Sequence, residues 1–324
     1  MKYQFIIASL ISLLATASCS HGADEDRPAA WGDSTAVAEA ADFNAADSMK
    51  AAPHNAPLQL ELESYVSRKD GMIGVCVVTD SLIYGVNLDE RFPMMSTVKF
   101  ATALAVADKF GAMADTVMVT RAQLRPGTWS PLRRMHRQGD LPIAVDRLLK
   151  FALTLSDNNA FDILTEYAGG PHAVQRRLGK LGIRDIMFRY YENQMNANWE
   201  LYPDNWCTPR AMAALVYDFY KREDTPASKR IKELMAACKT GQNRLIAGIP
   251  DEGAVLHHKT GTGGNNPRTG LLRAINDVGY VELPGNRGGG GYAIAVFVAE
   301  ANFNSHVAAD CIADLSEIAY NALR

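Results

Sequence analysis

Strand-like apolar runs lie at two places far apart in this chain, with a long stretch of helical spacing between them. Met72-Ile73-Gly74-Val75-Cys76-Val77-Val78-Thr79 reads as a buried strand, and Asp80-Ser81 turns it into a second strand over 82–86. The next strands follow Pro250, at residues 255–262, 277–283 and 292–299. Pro284-Gly285-Asn286 and the glycines 288–291 join the last two as a hairpin. From Ser96 to about Arg244 the apolar spacing predicts helices over 97–110, 143–155, 159–168, 173–181 and 210–221, with Pro209 where a helix start tolerates it. Two separate groups of strands can bury their apolar faces most simply by sharing one antiparallel sheet, with the helical block inserted between them. A first helix carries Leu58, Leu62, Tyr65 and Val66 on one face. A last helix, capped by Asn304 or Ser305, turns Val307, Cys311, Leu315, Ile318 and Leu323 inward. The predicted class is α+β: an α/β sandwich plus an all-helical block.

The chain before this body is of another kind. Lys2 precedes the apolar run Phe5 to Leu14, and small residues lead to Cys19. This is the pattern of a secretory signal peptide, too short to span a membrane as a helix. Thr16-Ala17-Ser18-Cys19 resembles a lipoprotein cleavage box, with Thr16 where Leu is usual; plain secretion, with cleavage after Ala17 or Ala23, stays open. Residues 20–52 carry seven acids against Arg27 and Lys50, with little apolar periodicity, and cannot pay for their own ordering. The expected division is a signal peptide over 1–18, a disordered acidic tether over 19–56, and a domain over 57–324. Within that domain, 57–95 and 250–324 form the sheet part and 96–249 the helical part. The expected location is the periplasm, with membrane attachment only through a lipid on Cys19.

Net charge is −3 over 324 residues, and no basic stripe marks a nucleic-acid footprint. Arg133, Arg134 and Arg137 form one local cluster, read as a solvated face. Cys76, Cys207, Cys238 and Cys311 show neither a CxxC pair nor a histidine at zinc-ligand spacing. Four buried free thiols are expected, with one disulfide left open. His257-His258 is read as packing or facing solvent beside its strand.

Three short motifs carry chemistry. Ser96-Thr97-Val98-Lys99 opens an apolar helix, so the lysine one turn on is placed to reach the serine hydroxyl, and free N–H groups of the helix start face a developing oxyanion. Ser156-Asp157-Asn158 follows Leu153-Thr154-Leu155 at a loop into the next helix. Lys259-Thr260-Gly261 lies in the strand Leu256 to Thr262, where a glycine lets backbone approach a ligand closely. Each alone has an ordinary structural explanation. Their order and setting together resemble the class A serine β-lactamases and the penicillin-binding proteins. The resemblance covers roughly 56–324.

A Glu after Ser-Asp-Asn separates the two families, because only the hydrolase must activate a water to clear its acyl group. Glu192-Asn193-Gln194-Met195-Asn196 stands 36 residues after Ser156, with Asn193 where class A enzymes more often have Pro. That version is similar to a branch of class A found in anaerobic gut and oral bacteria, mostly described as cephalosporin-hydrolysing. The resemblance implies Ser96, Lys99, Ser156, Glu192 and Lys259 as catalytic residues. It implies Asn158, Asn196, Trp129, Thr260, Gly261, Thr262 and Arg210 as substrate-binding residues, with Arg268 and Arg273 as alternatives to Arg210 for the substrate carboxylate. The implied substrate is a small β-lactam taken up by a monomer, with no metal, cofactor or nucleic acid. The alternatives are a penicillin-binding DD-peptidase or a non-hydrolysing β-lactam sensor, and more remotely a glutaminase of related fold.

Overall fold

The computed structural model describes residues 50–109, 115–250, 253–285 and 290–324. The signal peptide, Cys19, the tether up to residue 49 and the hairpin tip at 286–289 lie outside the described residues. Six strands, β1 (Lys50–Ala51), β2 (Met72–Val78), β3 (Leu82–Val86), β4 (Val255–Thr262), β5 (Leu272–Glu282) and β6 (Gly291–Ala301), form one sheet in the order β1-β3-β2-β6-β5-β4. The first and last strands of the described body therefore build the same sheet. β2 meets β6 antiparallel, with Cys76 opposite Ala295. Only β1 runs parallel to its neighbour, β3.

Among the described residues the α-helices are α1 (Pro57–Val66), α2 (Val98–Lys109), α3 (Pro131–Met135), α4 (Val145–Thr154), α5 (Asn158–Tyr167), α6 (Pro171–Lys180), α7 (Glu192–Ala197), α8 (Pro209–Lys221), α9 (Pro226–Ala236) and α10 (Ser305–Leu323). Strand residues alternate between two faces, and both faces are covered, which is why the strands read as continuous apolar runs. Ile73, Val75, Val77, Ile294, Val296 and Val298 pack with Leu62 of α1 and Leu315 of α10. Cys76, Val78, Ala293, Ala295 and Phe297 face the helical block, where Phe100 and Val106 of α2 and Phe161 and Leu164 of α5 are buried. The last helix is capped by Asn304, whose side chain accepts from the His306 and Val307 amides. All four body cysteines are free and buried.

Two expectations change and a third gains its bounds. The tether does not run to residue 56: Lys50 and Ala51 pair with Leu82 and Ile83, and the Ala52 amide donates to Ile83 O at 2.8 Å. The open edge of β3 offers backbone partners that composition does not reveal. The helix expected from 143 begins at Val145, because Leu141–Ala144 pairs with Thr116–Val119 as a two-stranded ribbon. Helix α9 falls in the stretch read as helical but without bounds of its own. Its outer positions are Ser228, Lys229, Arg230, Lys232 and Glu233, and only Ala227, Ile231, Leu234 and Met235 are buried. The capping box at Thr225 and Ser228, with Pro226 in the first turn, was the legible signal.

Candidate active site

Ser96 sits in a single 3-10 turn, Met95–Thr97, between strand Phe92–Pro93 and α2. Met95 has φ +49°, a left-handed conformation that a non-glycine residue adopts at a cost, and it throws Ser96 out of the line of the helix. Ser156 is held the same way at φ +55°, at the end of α4. Its loop is pinned from below by Asp157, which is fully buried. The Asp157 carboxylate accepts from Ser130 Oγ at 2.9 Å, the Leu132 amide at 2.6 Å and the Ala160 amide at 2.9 Å.

The edge strand β4 closes the other side. A Cβ on Gly261 would stand 2.7 Å from Met94 O and 3.1 Å from Met95 Cβ, so only glycine lets β4 lie this close to the Ser96 turn. Asn276 of β5 fastens the same turn by donating to Pro93 O at 2.8 Å and Met94 O at 3.1 Å. Because the Gly263 amide donates inward to Ala274 O at 2.8 Å, alternation points the Thr262 N–H towards the open edge beside that turn.

Two lysines meet on one hydroxyl between these walls. Lys99, 1% exposed, donates to Ser156 O at 2.8 Å, Ser156 Oγ at 3.3 Å and Asn158 Oδ1 at 2.6 Å. Lys259, with no exposed surface, donates to the same Ser156 Oγ at 3.0 Å and to Thr260 O at 2.8 Å. The one-turn spacing predicts Lys99 on Ser96; in the structure its three donors are engaged by Ser156 and Asn158. Asn158 Nδ2 donates to Thr128 Oγ1 at 2.8 Å and to Glu192 Oε1 at 3.2 Å. Glu192 is buried at the first position of α7, where Asp162 accepts from the amides of Glu192 at 2.8 Å and Asn193 at 3.0 Å. Lys99 of α2, Ser156 of the loop after α4, Glu192 of α7 and Lys259 of β4 are thus joined in one hydrogen-bonded set through Ser156 and Asn158.

A model of the beta-lactamase enzyme family matches residues 57–323. The VEB-1 β-lactamase of Pseudomonas aeruginosa is 34% identical over 276 residues, covering 82% of this chain and 89% of that protein. A β-lactamase of Bacteroides uniformis is 34% identical, over 82% of this chain and 91% of its own length. Among solved structures, the TLA-1 extended-spectrum β-lactamase superposes with TM-score 0.78 at 34% identity, over 82% of this chain and 98% of that one. A class A β-lactamase from Bacteroides cellulosilyticus DSM 14838 does so with TM-score 0.76 at 33% identity, over 82% and 96%.

This chain belongs to the class A β-lactamases. The β-lactamase's buried charges are tuned by their setting. Burial pushes the Lys259 ammonium down to about 7; Cys238 and Asp277 oppose this, while Lys99 and Arg244 add to it. Lys99 is lowered by burial too, against the pull of Glu192, Asp157 and Asp162. Burial raises Glu192, and both lysines hold it back. Asp162 is pushed up to about 7 by burial despite its two amide donors. A carboxylate with a raised pKa is a stronger base for water than an ordinary one.

The remaining expected site residues divide. Trp129 donates to Leu155 O at 2.8 Å, which puts its half-exposed ring beside Ser156, with the Arg134 guanidinium 4.4 Å from the ring centroid. Asn196 is exposed and donates to Gly127 O at 3.2 Å, tying α7 to the loop that carries Thr128. Thr260 Oγ1 lies 2.5 Å from Thr240 Oγ1, and Thr262 Oγ1 accepts from Arg244 at 2.7 Å.

Arg210 is not brought to the others. Its guanidinium makes two bonds to Asp89, at 2.7 and 3.0 Å, and its amide donates to Leu88 O at 3.1 Å. Pro209 packs over Gly74 of β2, three strands away from β4. The carboxylate partner that satisfies Arg210 is 121 residues away in sequence and could not be read from it. Arg268 pairs with Glu200, and Arg273 donates to Asn265 O at 3.2 Å and lies 4.8 Å from the Tyr202 ring centroid.

Four residues that the motifs do not single out belong to the arrangement: Thr128 and Asp162 behind Asn158 and Glu192, Arg244 behind Gly261, and Thr240 behind Thr260. Arg244 is buried and donates to Gly261 O at 2.9 Å and Asn276 O at 2.8 Å, clamping β4 to β5 at the site. The roles of Thr240 and Arg244 depend on contacts to Thr260 and Gly261, 20 and 17 residues on.

Proposed function

We propose that this β-lactamase hydrolyses cephalosporins and penicillins through an acyl-enzyme on Ser96. Ser96 Oγ attacks the lactam carbonyl, and its proton passes to Lys99, or to Glu192 through a water. The amides of Ser96 and Thr262 receive the oxyanion, each such donor being worth about 3 kcal/mol of transition-state stabilisation. The carbon–nitrogen bond breaks as Ser156, bonded to both lysines, passes a proton to the lactam nitrogen. Asn158 orients the acylamide side chain, and Thr260, Gly261 and Thr262 with Lys259 receive the carboxylate end of the substrate. Trp129 walls the pocket. Glu192, with Asn196, then activates the water that splits the ester.

The observation that carries this reading is the shared Ser156 hydroxyl: one proton carrier held between Lys99 at 3.3 Å and Lys259 at 3.0 Å, with Glu192 joined to the same set through Asn158. A DD-peptidase or sensor needs no buried base there, and the named relatives are β-lactamases. The same proposal makes the enzyme a periplasmic monomer, exported by the segment from Lys2 to Ser18 and held to the membrane through a lipid on Cys19. The pattern of charge, apolar run and small residues supports it.

The test is a chromogenic cephalosporin assay of the parent beside Glu192→Ala, with mass spectrometry of both proteins. Rapid turnover by the parent and a trapped adduct on Ser96 in the variant are expected. A parent that is acylated but scarcely turns over overturns the reading in favour of a penicillin-binding protein.

A further inference from the structure

Beside the Ser156 loop stands a charge that the proposed hydrolysis leaves unused. Residues 116–139 hold Arg121, Arg125, Arg133, Arg134 and Arg137, and no Asp or Glu. Trp129, within this acid-free stretch, is bonded to the chain on both sides of Ser156: its carbonyl accepts from the Asn158 amide at 3.0 Å, and its Nε1 donates to Leu155 O at 2.8 Å.

Arg134 lies on that indole. Its guanidinium carbon is 4.4 Å from the ring centroid, where a cation meets the electron-rich face. The short helix α3 that carries it is fastened to the same loop. Ser130, its cap, accepts from the Arg133 amide at 3.1 Å and donates to Asp157 at 2.9 Å, and the Leu132 amide donates to that carboxylate at 2.6 Å. The Arg134 amide itself donates to Ser130 O at 3.3 Å. Trp129, Arg134 and Ser156 are thus held by one frame around buried Asp157, so the charge keeps its place relative to the reacting groups.

That charge is open to a ligand. Arg134 is exposed, and among the described residues no carboxylate forms an ion pair with it, whereas Arg210, Arg230 and Arg268 each have one. Its neighbour Arg133 is occupied elsewhere, donating through Nε to Leu124 O at 3.0 Å. A guanidinium lying over a ring keeps its edge N–H groups free, and those groups match a carboxylate.

We propose that Arg134 is a specificity-determining residue of this β-lactamase: it favours β-lactams whose acylamide side chain carries a carboxylate of its own. The proposal rests on the assignment of Asn158 to the substrate's acylamide group and of Trp129 to the pocket wall. A side chain leaving Asn158 then runs out past Trp129, towards Arg134. The carboxylate on the substrate's ring system is already taken by the β4 side, so a second one has to find its cation on the wall built from α3. Both partners stay in water, which limits the preference to a few fold.

The test compares benzylpenicillin with its α-carboxy derivative, two substrates that differ by one carboxylate on the side chain. Acylation of Ser96 is timed by quenched-flow mass spectrometry, and hydrolysis by absorbance, for the intact enzyme, Arg134→Gln and Arg134→Lys. The ratio of acylation rate constants, carboxylated over uncarboxylated, is expected to fall about three- to fivefold in Arg134→Gln. It is expected to stay within about twofold of the parent in Arg134→Lys, which keeps the charge, and to fall in the parent itself as salt is raised to about 1 M. A ratio unchanged in Arg134→Gln, or unmoved by salt in the parent, overturns the proposal. So does an equal slowing of both substrates, which would mean that Arg134 only props the indole. Because the ratio is read on acylation, it answers whether or not the ester is then hydrolysed. Acylation without turnover defeats the hydrolase reading alone; no acylation by either penicillin defeats both.

Discussion

Asn158 Nδ2 donates to Glu192 Oε1 at 3.2 Å, while Oδ1 of the same amide accepts from the Lys99 ammonium at 2.6 Å. One neutral side chain therefore links an acid and a base that are both buried, and fixes which way each points. Without it, two charged groups would have to face each other or find other partners inside the protein.

Removing that bridge is expected to disable both halves of the reaction. Asn158→Leu keeps the volume but leaves Lys99 and Glu192 each short of a hydrogen bond to a charged group, a loss of about 1.5–3 kcal/mol per bond. A fall in kcat of about a hundredfold is expected, read from burst and steady-state kinetics with a chromogenic cephalosporin. A variant within threefold of the parent would show that the bridge does not position the two groups.

Gly261→Ala tests how tightly β4 must lie on the Ser96 turn. The added methyl meets backbone at Met94 O, 2.7 Å away, so the strand or the turn has to move by several tenths of an ångström. Displacing an oxyanion donor costs about 10²–10³ in kcat. The expected result is a loss of that order in acylation rate, with a folded protein by circular dichroism. Unchanged acylation would mean that β4 and the turn are not closely coupled.

The buried Lys259 predicts a pH-dependent stability. Its folded pKa, about 7, lies below the ordinary 10.5, so the unfolded chain binds more protons between those values. Its contribution is therefore complete above 10.5 and is lost as pH falls through about 7. Lys259→Met, though inactive, is expected to melt several degrees above the parent at pH 6, with the gain shrinking as pH rises towards 10. Calorimetry across pH checks this, and a gain that grows with pH would contradict it.

Arg210→Ala is expected to leave KM for cephalosporins within twofold of the parent. The Arg210–Asp89 pair is largely solvent-exposed, with 34% and 71% of the two side chains accessible, so its loss costs at most about 1 kcal/mol. A rise of tenfold or more in KM would return Arg210 to the substrate's carboxylate.

What the sequence determined by itself was local and periodic. Alternating or continuous apolar runs marked β2 to β6, and the helical repeat marked α2 and α4 to α6, because those signals come from residues within a few positions of one another. The motifs placed Ser96 and Lys99 at a helix start, Ser156 at a loop into the next helix and Lys259 in a strand, since each of these motifs carries its own local signal; Glu192, read on a loop, opens α7. The tertiary structure decided who touches whom. It bonded Lys99 to Ser156 and Asn158, took Arg210 away to Asp89, and ordered Lys50 and Ala51 on the edge of β3. It also brought Arg244 to Gly261. These pairings join residues 17 to 121 positions apart, or supply a sheet edge with backbone partners. They are settled by packing and by the need of buried polar groups for a partner, and neither is written in the spacing of any one segment.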